Sequence, residues 1–102
     1  MNSFGVKIKT LRERSNLLQR QVAAKLDMDT AMLSKVERGE RRAKREQVIN
    51  LAELFKVDKE DLLSLWLAAK LYDVLKDEDV APRALKVAEK EVNYKIKTRN
   101  GK

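Results

Sequence analysis

The chain has 102 residues, of which 43% are hydrophobic, and its 23 Lys and Arg outnumber its 16 Asp and Glu, giving a net charge of +7. It contains no Cys and no His, which excludes disulfides, thiolate metal sites and the commonest general base. One Pro, three Gly and an excess of helix-forming residues favour an all-α fold, built as one domain with an appendage.

The first predicted helix runs from Ser3 to Arg14 and has an inward apolar stripe at spacings of four and three. That stripe consists of Phe4, Ile8 and Leu11. A shorter second helix, Gln19 to Leu26, carries its apolar face on Val22, Ala23 and Leu26, and Met28 is expected to fill the turn that follows. These two elements predict an apolar face shared with the next helix.

The third predicted helix, Thr30 to Arg38, has a thin apolar edge and a small, polar outer face. Asp29 is its predicted N-cap, Leu33 and Val36 face inward, and Gly39 is expected to end it in the left-handed conformation. A short helix of this kind suits the major groove of DNA. Residues 19–39 therefore predict a helix-turn-helix.

The fourth helix follows the loop Glu40–Lys44, and Asp58 is the predicted N-cap of the fifth. The inward positions of helix 4 are Val48, Leu51, Ala52 and Phe55. Helix 5 is apolar nearly all round from Leu62 to Leu75, so it must be buried nearly all round. Pro82 suits the first turn of a sixth helix, whose apolar stripe is Ala81, Leu85, Ala88, Val92 and Ile96.

The apolar excess of helices 5 and 6 predicts a homodimer, because a lone copy exposes an unusually large apolar patch. The predicted dimer interface consists of Leu63, Trp66, Leu67, Leu71, Val74, Leu85 and Val92. The alternative is that helix 6 folds back on its own chain and leaves the protein monomeric. We assign residues 1–63 to DNA binding, 64–97 to a helical extension for dimerisation, and 98–102 to a basic flexible tail.

The positive charge is concentrated in the part of the chain that holds the helix-turn-helix. Residues 1–45 carry 12 Lys and Arg against 5 Asp and Glu, whereas residues 46–102 carry 11 of each. Such a basic patch beside a groove-entering helix is typical of a nucleic-acid-binding protein. Around the end of helix 3, the predicted phosphate-binding residues are Arg38, Arg41, Arg42 and Lys44, with Arg45 as a further candidate.

The chain resembles the Cro and phage-repressor type (XRE-like, lambda-repressor-like) of bacterial helix-turn-helix domain over some 60 of its 102 residues. The resemblance rests on FGVKIKTLRER, LLQRQVAAKL, DTAMLSKVERG and EQVINLAELFKVDKEDLL. Landmarks at the family's spacing are Gln19, Ala23, Leu33, Glu37, Gly39 and Asp58. The resemblance implies a five-helix domain, here with an extended fifth helix and an additional C-terminal sixth.

The resemblance also implies roles for single residues. Those that match base-reading positions of the family are Thr30, Ala31, Ser34 and Lys35. Gln19 matches a glutamine that bonds a DNA phosphate, and Arg12 and Glu37 match an ion pair between helices 1 and 3. Leu18 departs from the family, which has Ser or Thr as the N-cap of helix 2. Asp27 replaces the usual glycine of the turn, a position that Asp tolerates better than most residues.

The predicted function is a sequence-specific transcriptional regulator, in the simplest case a repressor that binds an inverted-repeat operator on double-stranded DNA as a homodimer. The alternative is an antitoxin or other interaction module whose C-terminal helices bind a partner protein. We expect no enzymatic activity, because no nucleophile has a base partner. We also expect no cofactor, metal or small-molecule ligand. No apolar run approaches the roughly 20 residues that cross a bilayer, which favours a cytoplasmic, nucleoid-associated protein.

Overall fold

The computed structural model describes residues 3–100, and these form six α-helices and no strand. The helices are α1 (Ser3–Arg14), α2 (Gln19–Lys25), α3 (Thr30–Arg38), α4 (Arg45–Phe55), α5 (Lys59–Leu75) and α6 (Ala81–Asn100). The all-α prediction is confirmed, as are the predicted bounds of α1 and α3. Helix α2 ends one residue before its predicted end, because Leu26 serves as its C-cap.

The turns between the first helices follow local chemistry. Asp29 caps α3, because its carboxylate accepts a hydrogen bond from the Met32 N–H at 2.7 Å. Gly39 ends α3 at a φ of 79°, and Asp27 adopts a φ of 55° in the turn between α2 and α3. Leu18 provides no side-chain cap for α2, although its own N–H donates to Gln21 Oε1 at 2.8 Å.

The chain divides into two compact units at the junction between Leu71 and Tyr72, inside α5. The core of the first unit contains the predicted inward residues of α1, α2 and α3. Its buried side chains are Phe4, Ile8, Leu11, Val22, Ala23, Leu26, Leu33, Val36, Ala43, Val48, Leu51, Ala52, Leu62 and Trp66. Ala43 was not predicted in this core, because it lies in a loop between two charged residues. Phe55 is only partly buried against the core.

The second unit contains α6, and none of this helix's described residues is buried. Its apolar side chains include Leu85 and Val92, which are 41% and 55% exposed. The helix continues through Thr98 to Asn100, so these three residues of the predicted tail are helical. Gly101 and Lys102 lie outside the described residues. Over residues 3–100, no helix has both the length and the hydropathy to cross a membrane.

Candidate nucleic-acid interface

Helix α3 is anchored by one apolar edge, which fixes the face that it presents to solvent. Leu33 and Val36 are buried, with 0% and 2% of their surface exposed, and α3 packs against both α1 and α2. Because residues three apart share a face of a helix, the opposite face of α3 must point away from the core. Ala31 and Lys35 lie there, Thr30 lies on the first turn of the helix, and all three side chains are exposed. Three of the four predicted base-reading side chains are thus accessible on one helix.

Ser34, the fourth predicted base-reading residue, is half-buried and accepts a hydrogen bond from Arg38 one turn later. The Arg38 guanidinium also bonds both carboxylate oxygens of Glu40, at 2.9 and 3.1 Å. The hydrogen bond from Arg38, aided by the attraction between the opposite charges, holds the pKa of Glu40 below its ordinary value. The same hydrogen bond raises the pKa of Arg38. The Arg38 guanidinium, which we predicted to bind phosphate, is therefore paired with Glu40. This role of Glu40 was not predicted from the sequence.

The loop Glu40–Lys44 carries the remaining predicted phosphate-binding residues. Arg41, Arg42 and Lys44 are all exposed, and Arg45 begins α4 beside them. The Lys35 carbonyl accepts hydrogen bonds from the Glu40 and Arg41 N–H groups at 2.8 and 3.3 Å, which folds the loop back onto the end of α3. The cations of this loop thus lie next to the exposed end of the candidate reading helix.

A hydrogen-bonded network joins α1, α2 and α3 beneath this surface. Arg12 donates to Glu37 at 2.7 and 3.1 Å and to the Leu17 carbonyl at 3.0 Å. The Arg12 and Glu37 side chains are 11% and 3% exposed, and the hydrogen bond to Glu37 raises the pKa of Arg12 against the opposing effect of burial. This ion pair, which the resemblance implied, is present.

Gln19 belongs to the same network, because its Nε2 donates to Glu37 Oε1 at 2.9 Å. It is half-buried at the start of α2. Gln19, Ser34 and Arg38 line one surface groove together with residues of α1. The structure therefore brings together one predicted base-reading residue and two predicted phosphate-binding residues. It also gives Gln19 a partner that the sequence did not reveal.

The predicted dimer-interface residues separate into two groups. Trp66 was assigned to the interface, but the structure places it in the core of the first unit, 6% exposed, where its indole N–H donates to the Ala43 carbonyl at 2.7 Å. Leu63 also packs against that core. Trp66 faces inward because the core covers its ring while the loop backbone supplies an acceptor for its N–H. The exposed members of the set are Leu67, Leu71, Val74, Leu85 and Val92.

Comparisons with known proteins identify the family. Residues 3–66, well over half of the chain, match the family described as a helix-turn-helix domain. No curated protein matches the chain. Among solved structures, it is similar to the clp gene regulator ClgR from Corynebacterium glutamicum, with a TM-score of 0.57 and 15% identity over 99% of this chain and 94% of that one. At this identity the likeness concerns the fold alone. The chain belongs to the helix-turn-helix domain family.

Proposed function

We propose that this helix-turn-helix protein is a sequence-specific transcriptional regulator that binds double-stranded DNA through α3. The observation that carries the proposal is that Leu33 and Val36 bury one edge of α3 while Thr30, Ala31 and Lys35 are exposed on the rest of its surface. Lys35 suits guanine O6 and N7, Thr30 serves as donor or acceptor, and the Ala31 methyl suits thymine. Ser34, which is half-buried, adds a hydroxyl that lies between Thr30 and Ala31 around the helix.

The proposed phosphate contacts come from Gln19, Arg38, Arg41, Arg42 and Lys44. Four of these five are cations on the last turn of α3 and the loop after it. Since each phosphate neutralised by a cation adds about −0.9 to the slope of log K against log salt, these four predict about −3.6 per subunit. A dimer doubles this value to about −7.

The exposed apolar side chains of α5 and α6 support the second part of the proposal, a homodimer. Leu67, Leu71 and Val74, in the second half of α5, are 50%, 46% and 73% exposed. Leu85 and Val92 lie on one stripe of α6. A second copy buries such residues, and a two-fold dimer reads an inverted repeat with half-sites about one helical turn apart. Occupying a promoter in this way makes the protein a repressor.

The test of DNA binding is fluorescence anisotropy with a random-sequence duplex at several salt concentrations, followed by selection of bound fragments from a random pool. We expect steep salt dependence and a palindromic consensus. Arg41→Gln should flatten the slope by about 0.9 per subunit, or about 1.8 for a dimer, whereas Lys59→Gln, which removes an equal exposed charge from the start of α5, should not. A folded protein that binds no duplex even at low salt contradicts the proposal.

The test of the dimer compares two valines of α6 with similar exposure. Val92 lies on the apolar stripe and Val87, 58% exposed, lies five residues earlier, about 140° around the helix. By light scattering we expect Val92→Glu to be monomeric and Val87→Glu to remain dimeric. A monomeric wild-type chain contradicts the dimer and favours the second candidate, an antitoxin-like module that presents the same apolar stripe to another protein.

A further inference from the structure

The loop Glu40–Lys44 is held at both ends, although its middle is exposed. At the first end, the Lys35 carbonyl accepts from the Glu40 and Arg41 N–H groups. At the second end, Lys44 is the N-cap residue that precedes α4, and its N–H donates to Gln47 Oε1 at 2.8 Å. Both of these attachments are local, since they join residues within a few positions of each other. They leave the path between Arg41 and Lys44 to be fixed by something else.

A further attachment is a hydrogen bond from a distant helix. Ala43 is 3% exposed, and its carbonyl accepts from Trp66 Nε1 at 2.7 Å across 23 residues of sequence. A buried carbonyl without a donor is unfavourable, so this bond and the burial of the Ala43 methyl select one path for the loop. The Lys70 ammonium lies over the Trp66 ring, with its Nζ 3.9 Å from the ring centroid.

We propose that Trp66 is a positioning residue for DNA binding: it holds the loop so that Arg41, Arg42 and Lys44 meet the phosphates together. The proposal rests on the proposed function. Arg42 immediately precedes the anchored Ala43, and Lys44 immediately follows it. Successive side chains of an irregular segment point in directions set by its backbone, so anchoring the middle residue orients both neighbours. Without the anchor, the loop must be ordered each time DNA binds, at a cost in conformational entropy.

The test is Trp66→Phe, which keeps an aromatic ring and removes the N–H. We expect binding to every duplex, selected or random, to weaken by about eightfold at 0.1 M salt for each phosphate that the loop no longer neutralises. The salt slope should become less steep by about one to two, because the loop cations no longer act together. If Trp66 had a purely structural role, the variant would contain less folded protein, and that folded protein would bind DNA with the wild-type salt slope. Lys70→Gln is the control, since it uncovers the ring and retains the N–H.

A second replacement removes the N–H with almost no change of shape. Because the chain has one Trp, growth on benzothienylalanine, with sulfur in place of the indole N–H, alters Trp66 alone. A flatter salt slope in a protein with wild-type circular dichroism supports the proposal. A wild-type slope in both replacements overturns it, and so does loss of helicity in both, which would make Trp66 a stability residue. If folded wild-type protein binds no DNA, the proposed function fails instead.

Discussion

The network beneath the candidate interface yields a quantitative prediction for Arg12→Met. The substitution keeps an unbranched apolar stem and removes three hydrogen bonds, two to Glu37 and one to the Leu17 carbonyl. One charge-assisted hydrogen bond contributes about 1.5–3 kcal/mol, and breaking a fully buried ion pair costs about 3–5 kcal/mol. Glu37 keeps its bond from Gln19, and Arg12 is 11% exposed. We therefore expect Arg12→Met to lower the free energy of unfolding by about 3 kcal/mol.

The assay is thermal unfolding followed by circular dichroism, with urea unfolding as a second measurement. For a domain of this size, a loss of about 3 kcal/mol lowers Tm by about 12–24 °C. The control is Arg38→Met, which breaks an ion pair whose side chains are 53% and 56% exposed, and it should leave Tm nearly unchanged. The double variant Arg12→Met/Glu37→Leu should recover much of the loss, because it removes the buried charge as well as its partner.

Two results refute this reasoning. The first is a fall in Tm of less than about 5 °C for Arg12→Met, since that corresponds to the value of an exposed pair. The second is a double variant no more stable than the single one. In that case the loss comes from the packing of the arginine stem.

Three further predictions concern the surface of the first unit. Lys35→Ala should lower affinity for the selected operator without changing the circular dichroism spectrum, and unaltered affinity would remove Lys35 from the base-reading set. Glu40→Gln should strengthen binding to any duplex in anisotropy titrations, because it releases Arg38 and removes a negative charge; weaker binding would show that Glu40 orients Arg38 for DNA. Because the folded-state pKa of Glu40 is lowered, its pair contributes stability above the ordinary pKa of 4.5 and loses it as the pH falls through the lowered value. Because both side chains of the pair are more than half exposed, the urea midpoints of wild type and Glu40→Gln should differ only slightly at pH 6 and converge in strong acid; a large difference at pH 6 would contradict the view that the pair is worth no more than an exposed one.

The sequence predicted the helix-turn-helix well because its signals are local. Asp29 and Gly39 bracket α3, and the chemistry of each end depends only on residues within one turn. The apolar edge of Leu33 and Val36 has a spacing that only a helix places on one face. Such features need no knowledge of the rest of the fold. The pairing of Arg12 with Glu37, by contrast, came from the family resemblance, since 25 residues separate the two side chains.

Trp66 was misplaced because α5 has no polar face to orient it. With apolar residues on nearly every side, periodicity does not distinguish the side that packs on the core from the side that remains exposed. The outcome depends on the Ala43 carbonyl, a backbone group that no sequence pattern marks. The ion pair of Arg38 and Glu40 escaped prediction for a related reason. Gly39 reverses the chain between them, so helical spacing rules do not apply across it.

Gln19 shows how a structural and a functional role coexist in one side chain. Its amide nitrogen carries two hydrogens, and the bond to Glu37 at 2.9 Å uses one of them. That bond fixes the direction of the amide, because Glu37 is itself held by two bonds from Arg12. In the phosphate contact that we propose for Gln19, the second hydrogen is oriented before the phosphate arrives, which lowers the entropic cost of the contact. Glu37, a buried acid that repels phosphate as a free charge, would thus assist the proposed binding by aligning a neutral donor.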